Sequence, residues 1–183
     1  MLGLLCGSKV VVTGGSWTII GEATLESTAS FDVCPQIETR LVVWSNISGG
    51  CQRISVGNNA RLELKATSPA TVKPGIDIGS GGLMVQAAGV ATYMGSVSAL
   101  GAFLIRGGSS AYFTSPVVCG GLISISGASN VSLQQNLTGR GQTFLSNGSH
   151  LELRGSSAPT KWGPSVTVVG SSLRVFVAAS SGV

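Results

Sequence analysis

The 183-residue sequence predicts an all-β chain, folded as a single-stranded right-handed parallel β-helix (a β-solenoid) of about seven or eight rungs. Three observations predict this fold class. Glycine and serine contribute 27 residues each, while hydrophobic residues reach 43%, a combination typical of short buried strands joined by tight turns. Runs of strong helix formers are scarce. Alternating apolar pairs recur along the whole chain with a period of about 21 residues, as in repeat architectures.

The composition also excludes several other classes. Only 10% of the residues are charged, against roughly 25% in an average soluble domain. The apolar content is too high for a disordered linker, and glycine lacks the three-residue period of collagen. We therefore interpret residues 1–183 as one solenoid domain, and we expect the chain to be a fragment of a longer repeat protein.

The repeat is built on pairs of apolar residues that enclose one outward position, as half-buried strands do. Successive pairs start about 20 to 24 residues apart, with a single longer step of about 28 residues. That step predicts a long loop inserted after residue 85. The pairs are Trp17–Ile19, Leu41–Val43, Leu62–Leu64, Leu83–Val85, Ala111–Phe113, Val131–Leu133, Leu151–Leu153 and Leu173–Val175.

A corner rich in Gly, Ser and Asn precedes most of these pairs, as in Ile125-Ser-Gly-Ala-Ser129 and Leu145-Ser-Asn-Gly-Ser149. Gly and Asn tolerate the positive φ that a sharp bend between strands requires. A unit of about 20 residues cannot bury its apolar side alone, but stacked copies bury a continuous core. The structural alternative is a β-sandwich, which turn signals at this density also fit.

These Val/Leu-Gly-Ser rungs resemble single-stranded parallel β-helix surface proteins, including bacterial adhesin passengers and tailspike-like fibres. More loosely, the chain is similar to the trypanosomatid dispersed gene family of surface proteins. That likeness depends on Gly/Ser/Val richness, isolated cysteines, Asn-x-Ser/Thr sites and strand pairs such as 59–64 and 149–153. The resemblance implies a cell-surface, adhesion-like role and transfers no functional residue.

We assign no catalytic residue. Stacking predicts one outward column that contains Thr18, Glu63, Met84, Tyr112, Ser132, Glu152 and Arg174. Glu63 and Glu152 would then lie about 19 Å apart, since strands stack about 4.8 Å apart, and glycosidase carboxylates must be closer than that. Glu152 and Arg174 would be neighbours on adjacent rungs and form a surface ion pair.

The alternative function is a β-helix carbohydrate-active enzyme, of the polysaccharide lyase or hydrolase kind. It requires that some of the acids Glu22, Glu26, Asp32 and Glu38 gather in a groove. The single histidine, His150, is expected at the surface beside Asn130 and Ser172. One histidine and no CxxC motif predict neither a metal site nor a cofactor.

Four of the six asparagines lie in Asn-x-Ser/Thr sequons, which makes Asn46, Asn130, Asn136 and Asn147 candidate glycosylation sites. This excess suggests an extracellular or cell-surface eukaryotic location. Of the four cysteines, Cys34 and Cys51 are the candidate disulfide pair, and four reduced buried thiols are the alternative. Among the aromatic residues, the candidate surface contacts are Trp44 and Trp162, and Tyr93 and Tyr112 are further residues to consider for binding.

The function class that fits these patterns is a non-enzymatic extracellular segment that acts in adhesion, in ligand display or as a structural stalk. A protein or carbohydrate ligand on a cell surface is the expected partner. Nucleic acid is not expected, because the eleven basic residues are scattered singly. Membrane association would come from parts absent from this chain or, as a third interpretation, from one span at residues 87–105, within the uncharged stretch 78–105.

Overall fold

The structure is a computed structural model. It describes residues 2–4, 9–12, 15–19, 23–25, 30–33, 39–43, 46–48, 53–66, 68–154 and 163–176, and from residue 41 onward within these ranges it describes every side chain except that of residue 48. Every regular element in this part of the chain is a β-strand. The 24 strands form three sheets in which every pairing is parallel. We call them sheets A, B and C in the order in which the chain enters them.

The strands of sheet A are β1 (Leu2–Leu4), β4 (Ala23–Leu25), β7 (Ile47–Ser48), β10 (Ala70–Val72), β13 (Val90–Tyr93), β16 (Ser110–Phe113), β19 (Asn130–Leu133), β22 (His150–Arg154) and β24 (Ser172–Phe176). Sheet B contains β2 (Lys9–Val12), β5 (Ser30–Val33), β8 (Arg53–Val56), β11 (Gly75–Ile78), β14 (Val97–Ala99), β17 (Val117–Cys119) and β20 (Leu137–Thr138). Sheet C contains β3 (Gly15–Ile19), β6 (Thr39–Val43), β9 (Ala60–Lys65), β12 (Leu83–Ala88), β15 (Ala102–Ile105), β18 (Leu122–Ile125), β21 (Gln142–Leu145) and β23 (Ser165–Val168).

The predicted β-solenoid is therefore confirmed. From β1 to β22 the chain passes from sheet A to B to C and then returns to A, where each strand pairs with the equivalent strand of the previous turn. Val90, Ser110, Asn130 and His150 are successive partners in this register, so these three consecutive turns are equal in length and close to the predicted period. A β-sandwich is wrong, because sandwiches are built from antiparallel sheets.

The strict alternation of the strands produces a single continuous core. Inward side chains from all three sheets are almost completely buried, among them Ile78, Phe103 and Leu151. The middle of this core is aromatic: the Tyr93 ring stacks on Phe113 at 4.7 Å between centroids and meets Phe103 edge-on at 5.7 Å.

The sequence-based alignment of the apolar pairs as one repeating position is wrong at one point. The pairs up to Leu83–Val85 lie in sheet C, whereas those from Ala111–Phe113 onward lie in sheet A. The single long step is therefore a change of sheet and not an inserted loop. Met84 registers with Leu62 and Phe103 and is fully buried, so its predicted outward position is also wrong.

Two kinds of corner hold the turns in register. Between sheets C and A, Ser149 Oγ donates to the Ser146 carbonyl at 2.8 Å and accepts from the Ser129 backbone N–H at 3.3 Å. Between sheets B and C, the corner at Gly121 passes so close to the previous turn that a Cβ there would lie 2.2 Å from the Gly101 carbonyl oxygen. Each corner thus requires small residues because it touches its equivalent one turn back.

Residues 87–105 do not form one helical span. They contain the end of β12, the strands β13 and β14, and β15, with buried and partly exposed residues alternating. Among the residues that the structure describes, none belong to a helix long and apolar enough to cross a membrane.

Candidate ligand-binding face

The outer surface of sheet A brings together the largest group of predicted functional residues. Between each pair of inward residues, one side chain points away from the core, and parallel pairing stacks these side chains into columns. One column contains Val90, Ser110, Asn130, His150 and Ser172. The next contains Thr71, Thr92, Tyr112, Ser132, Glu152 and Arg174. We call the surface formed by these two columns and their strand ends the sheet A face.

Tyr112 is the aromatic centre of this face. Its neighbours in β16, Ala111 and Phe113, are buried inside the solenoid, whereas the Tyr112 side chain is 41% exposed. The residues that flank it in the column are Thr92 and Ser132. The ring therefore lies between the hydroxyl-bearing residues of the two neighbouring strands on the outer surface of sheet A.

Polar side chains continue the face toward β24. His150 Nδ1 lies 2.6 Å from Ser172 Oγ, so the two side chains share a hydrogen bond across adjacent strands. Asn130 precedes His150 in the same column and is exposed. The predicted position of His150 beside Asn130 and Ser172 is thus confirmed.

Charged groups occupy the last two strands. Glu152 and Arg174 are cross-strand neighbours as predicted, but the ion pair that the structure gives Glu152 is with Arg154 on its own strand. The Arg154 guanidinium also lies 5.7 Å from the centre of the Phe176 ring, within the range of a cation–π contact.

The Ser172–His150 pair has the atom types of a nucleophile and a base. A serine hydrolase also orients the imidazole through a third group and supplies donors for the oxyanion. Among the described residues, no acidic side chain hydrogen-bonds the other nitrogen of His150. The two side chains are hydrogen-bonded to each other on the outer surface of sheet A.

Glu63 does not belong to this face, contrary to the predicted column. It lies on β9 in sheet C, in register with Val42 and Val85. Its carboxylate is buried and contacts Arg61 Nη2 at 3.0 Å and Lys65 Nζ at 3.3 Å. The error arises because the apolar pairs up to residue 85 lie in sheet C and the later ones in sheet A. For the same reason Thr18 lies in sheet C.

The four sequons occupy different environments. Asn147 lies exposed at a corner with φ of 57°, and Asn130 is exposed on the sheet A face. Asn46 is half-buried, and its Oδ1 accepts the Thr71 backbone N–H at 2.8 Å. Asn136 is also half-buried, with its Oδ1 enclosed and lacking a hydrogen-bond partner within the described structure.

Several predicted residues lie outside the described residues. These are the disulfide candidates Cys34 and Cys51, the contact candidates Trp44 and Trp162, and the acids Glu22, Glu26 and Glu38. Asp32 lies on β5 in sheet B. Cys119 is a free thiol on β17, and burial raises its pKa.

Sequence reasoning missed one polar group entirely. Gln86 is completely buried in register with the inward residues Leu64 and Ile105. Its Nε2 donates to the Ser110 and Gly89 carbonyls at 2.9 and 3.2 Å, and its Oε1 accepts the Tyr93 hydroxyl at 3.1 Å. Tyr93, a residue to consider for binding from the sequence, is thus a core residue. The sequence carried no signal for this group, because the predicted inward residues of the strand, Leu83 and Val85, put residue 86 on the outer side.

The described residues contain no group of three or more His, Cys, Asp or Glu side chains placed to hold a metal ion. Their core has a cavity of about 10 Å³ beside Phe113, Ile125 and Thr143, which approaches the room that one water molecule needs. Comparison of the chain with protein-family models, with curated proteins and with solved structures finds no match in any of the three.

Proposed function

We propose that this chain is a non-enzymatic segment of an extracellular or cell-surface protein, a rigid β-solenoid that displays a carbohydrate-binding face on sheet A. The observation that carries the proposal is the exposed Tyr112 ring set among hydroxyl and amide side chains on the outer surface of sheet A. Sugars offer an apolar C–H face that packs on an aromatic ring, and hydroxyl groups that require hydrogen-bond partners.

The other residues of the face supply those partners. Asn130 and Gln134 are exposed amides on β19 and just beyond it, and an amide can donate and accept at once. The Ser172 hydroxyl and the His150 ring lie within 2.6 Å of each other. Because strands stack about 4.8 Å apart, the five strands from β13 to β24 span about 19 Å, the length of several linked sugar rings.

The solenoid architecture supports the stalk and display part of the proposal. Nine strands in sheet A extend over about 38 Å at the usual spacing. Each side chain on the face is held by a strand that is hydrogen-bonded on both sides, except in the terminal strands. A binding surface on such a support loses little conformational entropy when a ligand binds.

A glycan array tests the proposal, with the 183-residue chain produced in a bacterial host so that Asn130 carries no glycan. Tyr112→Ala should reduce binding to the glycans that the parent recognises by about tenfold, because an aromatic stacking contact contributes about 1–1.5 kcal/mol. Phe144→Ala is the matched control: Phe144 is an exposed aromatic residue at an outward position of sheet C.

Phe144→Ala should bind as the parent does. A parent that binds no glycan would contradict the carbohydrate-binding proposal. Equal binding by the parent and Tyr112→Ala, or equal loss in both variants, would contradict a site on sheet A.

A further inference from the structure

The candidate glycosylation site Asn130 lies on the same face of the solenoid as the exposed ring of Tyr112. Its sequon, residues 130–132, is part of β19. Strand alternation buries Val131 and puts Asn130 and Ser132 on the outer side. A sugar attached to Asn130 therefore begins on the sheet A face and not at a corner between sheets.

The strand register places Asn130 diagonally beside Tyr112. Tyr112 pairs with Ser132, and Ser110 pairs with Asn130. The two positions thus differ by one strand across the sheet and by two residues along the strand. Adjacent strands are about 4.8 Å apart, and two residues extend about 6.6 Å. The Cα atoms of Asn130 and Tyr112 are therefore about 8 Å apart, a distance that the first sugar of a glycan can span.

The Asn130 amide is accessible for modification. Its side chain is exposed, and its partner on the next strand, His150, hydrogen-bonds Ser172 instead. The Asn46 side chain, by contrast, accepts a backbone N–H of the next turn. The other exposed sequon, at Asn147, lies at a corner. Asn130 is thus the exposed sequon whose glycan starts beside an aromatic ring.

The ring and the sugar are chemically complementary. The C–H face of a sugar packs on an aromatic ring, and the Tyr112 side chain is 41% exposed between Thr92 and Ser132. A sugar bonded to Asn130 has a high effective concentration near this ring, because a short linker makes the contact intramolecular. A contact too weak to hold a free monosaccharide is therefore well populated in the glycosylated chain.

We propose that the first sugar of an N-linked glycan on Asn130 packs on the Tyr112 ring and covers it. An external glycan then loses the aromatic contact of the sheet A face, so modification of Asn130 lowers the affinity of this face for its ligand. The covering of Tyr112 requires only the geometry of β16 and β19, whereas the effect on affinity rests on the proposed carbohydrate-binding function.

Tyrosine nitration by tetranitromethane tests the contact on the full chain, secreted from a eukaryotic host. The chain has two tyrosines, and Tyr93 is completely buried, so the folded protein should react at Tyr112 alone. Mass spectrometry identifies the molecules in which Asn130 carries a glycan. In these, nitration of Tyr112 should be about threefold to tenfold slower than in the bacterial chain without glycans, as an aromatic stacking contact predicts.

Asn130→Gln and Asn147→Gln, secreted from the same host, are the matched variants. Each removes one exposed sequon, but the glycan of Asn147 starts at the corner before β22, two strands away from Tyr112. Asn130→Gln should restore the nitration rate of the bacterial chain, and Asn147→Gln should leave the slow rate unchanged. Far-UV circular dichroism verifies that each variant keeps its strands.

An endoglycosidase that leaves only the first sugar distinguishes stacking from crowding by a large glycan. The slow nitration of Tyr112 should survive this trimming, because the first sugar makes the contact. Loss of protection on trimming would overturn the proposal. So would an unmodified Asn130, or equal nitration rates in the occupied and the bacterial chain.

A glycan array tests the effect on affinity. Glycans that the bacterial chain binds through Tyr112 should bind the secreted parent about tenfold more weakly, and secreted Asn130→Gln should regain the affinity. Equal binding by the secreted parent and secreted Asn130→Gln would overturn this effect. A bacterial chain that binds no glycan would contradict the proposed function and the effect on affinity together, while the nitration rates still decide the contact with Tyr112.

Discussion

The Tyr93 hydroxyl donates to Gln86 Oε1 at 3.1 Å in the middle of the solenoid core, and both side chains are completely buried. Gln86 in turn donates to the carbonyls of Gly89 and Ser110. The pair therefore connects the bulge at the end of β12 to the next two strands of sheet A. A buried polar network of this kind stabilises one register, since a shifted register would leave its groups without partners.

Removing Gln86 should be costly. Gln86→Met keeps the volume but leaves the buried Tyr93 hydroxyl without its partner and removes one donor each from the Ser110 and Gly89 carbonyls. The Gly89 carbonyl still accepts the Ser110 backbone N–H at 2.9 Å, so we expect a loss of about 2 kcal/mol in the free energy of unfolding. Tyr93→Phe leaves only Gln86 Oε1 unpaired and should cost about 1–2 kcal/mol. The double variant should lose about 1 kcal/mol less than the sum of the two single losses, as measured by urea denaturation. Full additivity would mean that the hydroxyl–amide contact contributes nothing.

The stability of the protein should fall above pH 10, in part through Tyr93. Burial raises the pKa of this phenol well above its ordinary value of 10.0. Below pH 10 the phenol keeps its proton in both the unfolded and the folded state, so its ionisation does not lower the stability there. As the pH rises further, the unfolded state loses the proton first, so folding is disfavoured by up to about 1.4 kcal/mol per pH unit.

Tyr93→Phe isolates that contribution. Its free energy of unfolding should decline less steeply with pH above 10 than that of the parent, while the two slopes agree between pH 7 and 9. Denaturation at a series of pH values measures both slopes. Identical slopes in the alkaline range would show that the phenol can ionise without unfolding the core.

Two adjacent glycines in one corner should respond differently to alanine. A Cβ at Gly121 would lie 2.2 and 2.4 Å from the carbonyl oxygens of Gly101 and Leu100, which are backbone atoms of the previous turn. The closest atom to a Cβ at Gly120 would be the end of the Leu100 side chain, at 2.6 Å. That side chain is 61% exposed and can move.

We therefore expect Gly121→Ala to lower the free energy of unfolding by about 3 kcal/mol or more and Gly120→Ala to change it by less than about 1 kcal/mol. Thermal melts followed by circular dichroism compare the two. Similar melting temperatures for both variants would mean that neighbouring turns can separate at this corner at little cost.

The sequons should differ in use when the chain is secreted from a eukaryotic host. Asn147 and Asn130 are exposed and should carry glycans. Asn46 should be modified least, because its side chain bonds the backbone of the next turn, and Asn136 should be low as well because its amide oxygen is enclosed. Peptide mass spectrometry after enzymatic deglycosylation measures each occupancy, and occupied Asn46 with unoccupied Asn147 would contradict this order.

How much of the fold can be predicted from the sequence depends on how far apart in the chain the residues that form each pattern lie. The alternation in segments such as Leu151–Leu153 and the corner residues around Asn147 are local patterns, and each of them predicted its element correctly. Their near-constant spacing along the chain predicted stacking, since one such unit has too little core of its own. The all-β class, the solenoid and the surface position of His150 came from these patterns.

Tertiary structure alone decided which sheet each strand joins. The three strands of a turn share the same alternation, so Leu83–Val85 and Ala111–Phe113 look equivalent although they lie in sheets C and A. The burial of Met84 and the pairing of Gln86 with Tyr93 depend on that assignment. Side-chain alternation determines only which side of a strand faces the core, whereas register between turns is fixed by contacts between residues a full repeat apart in the chain.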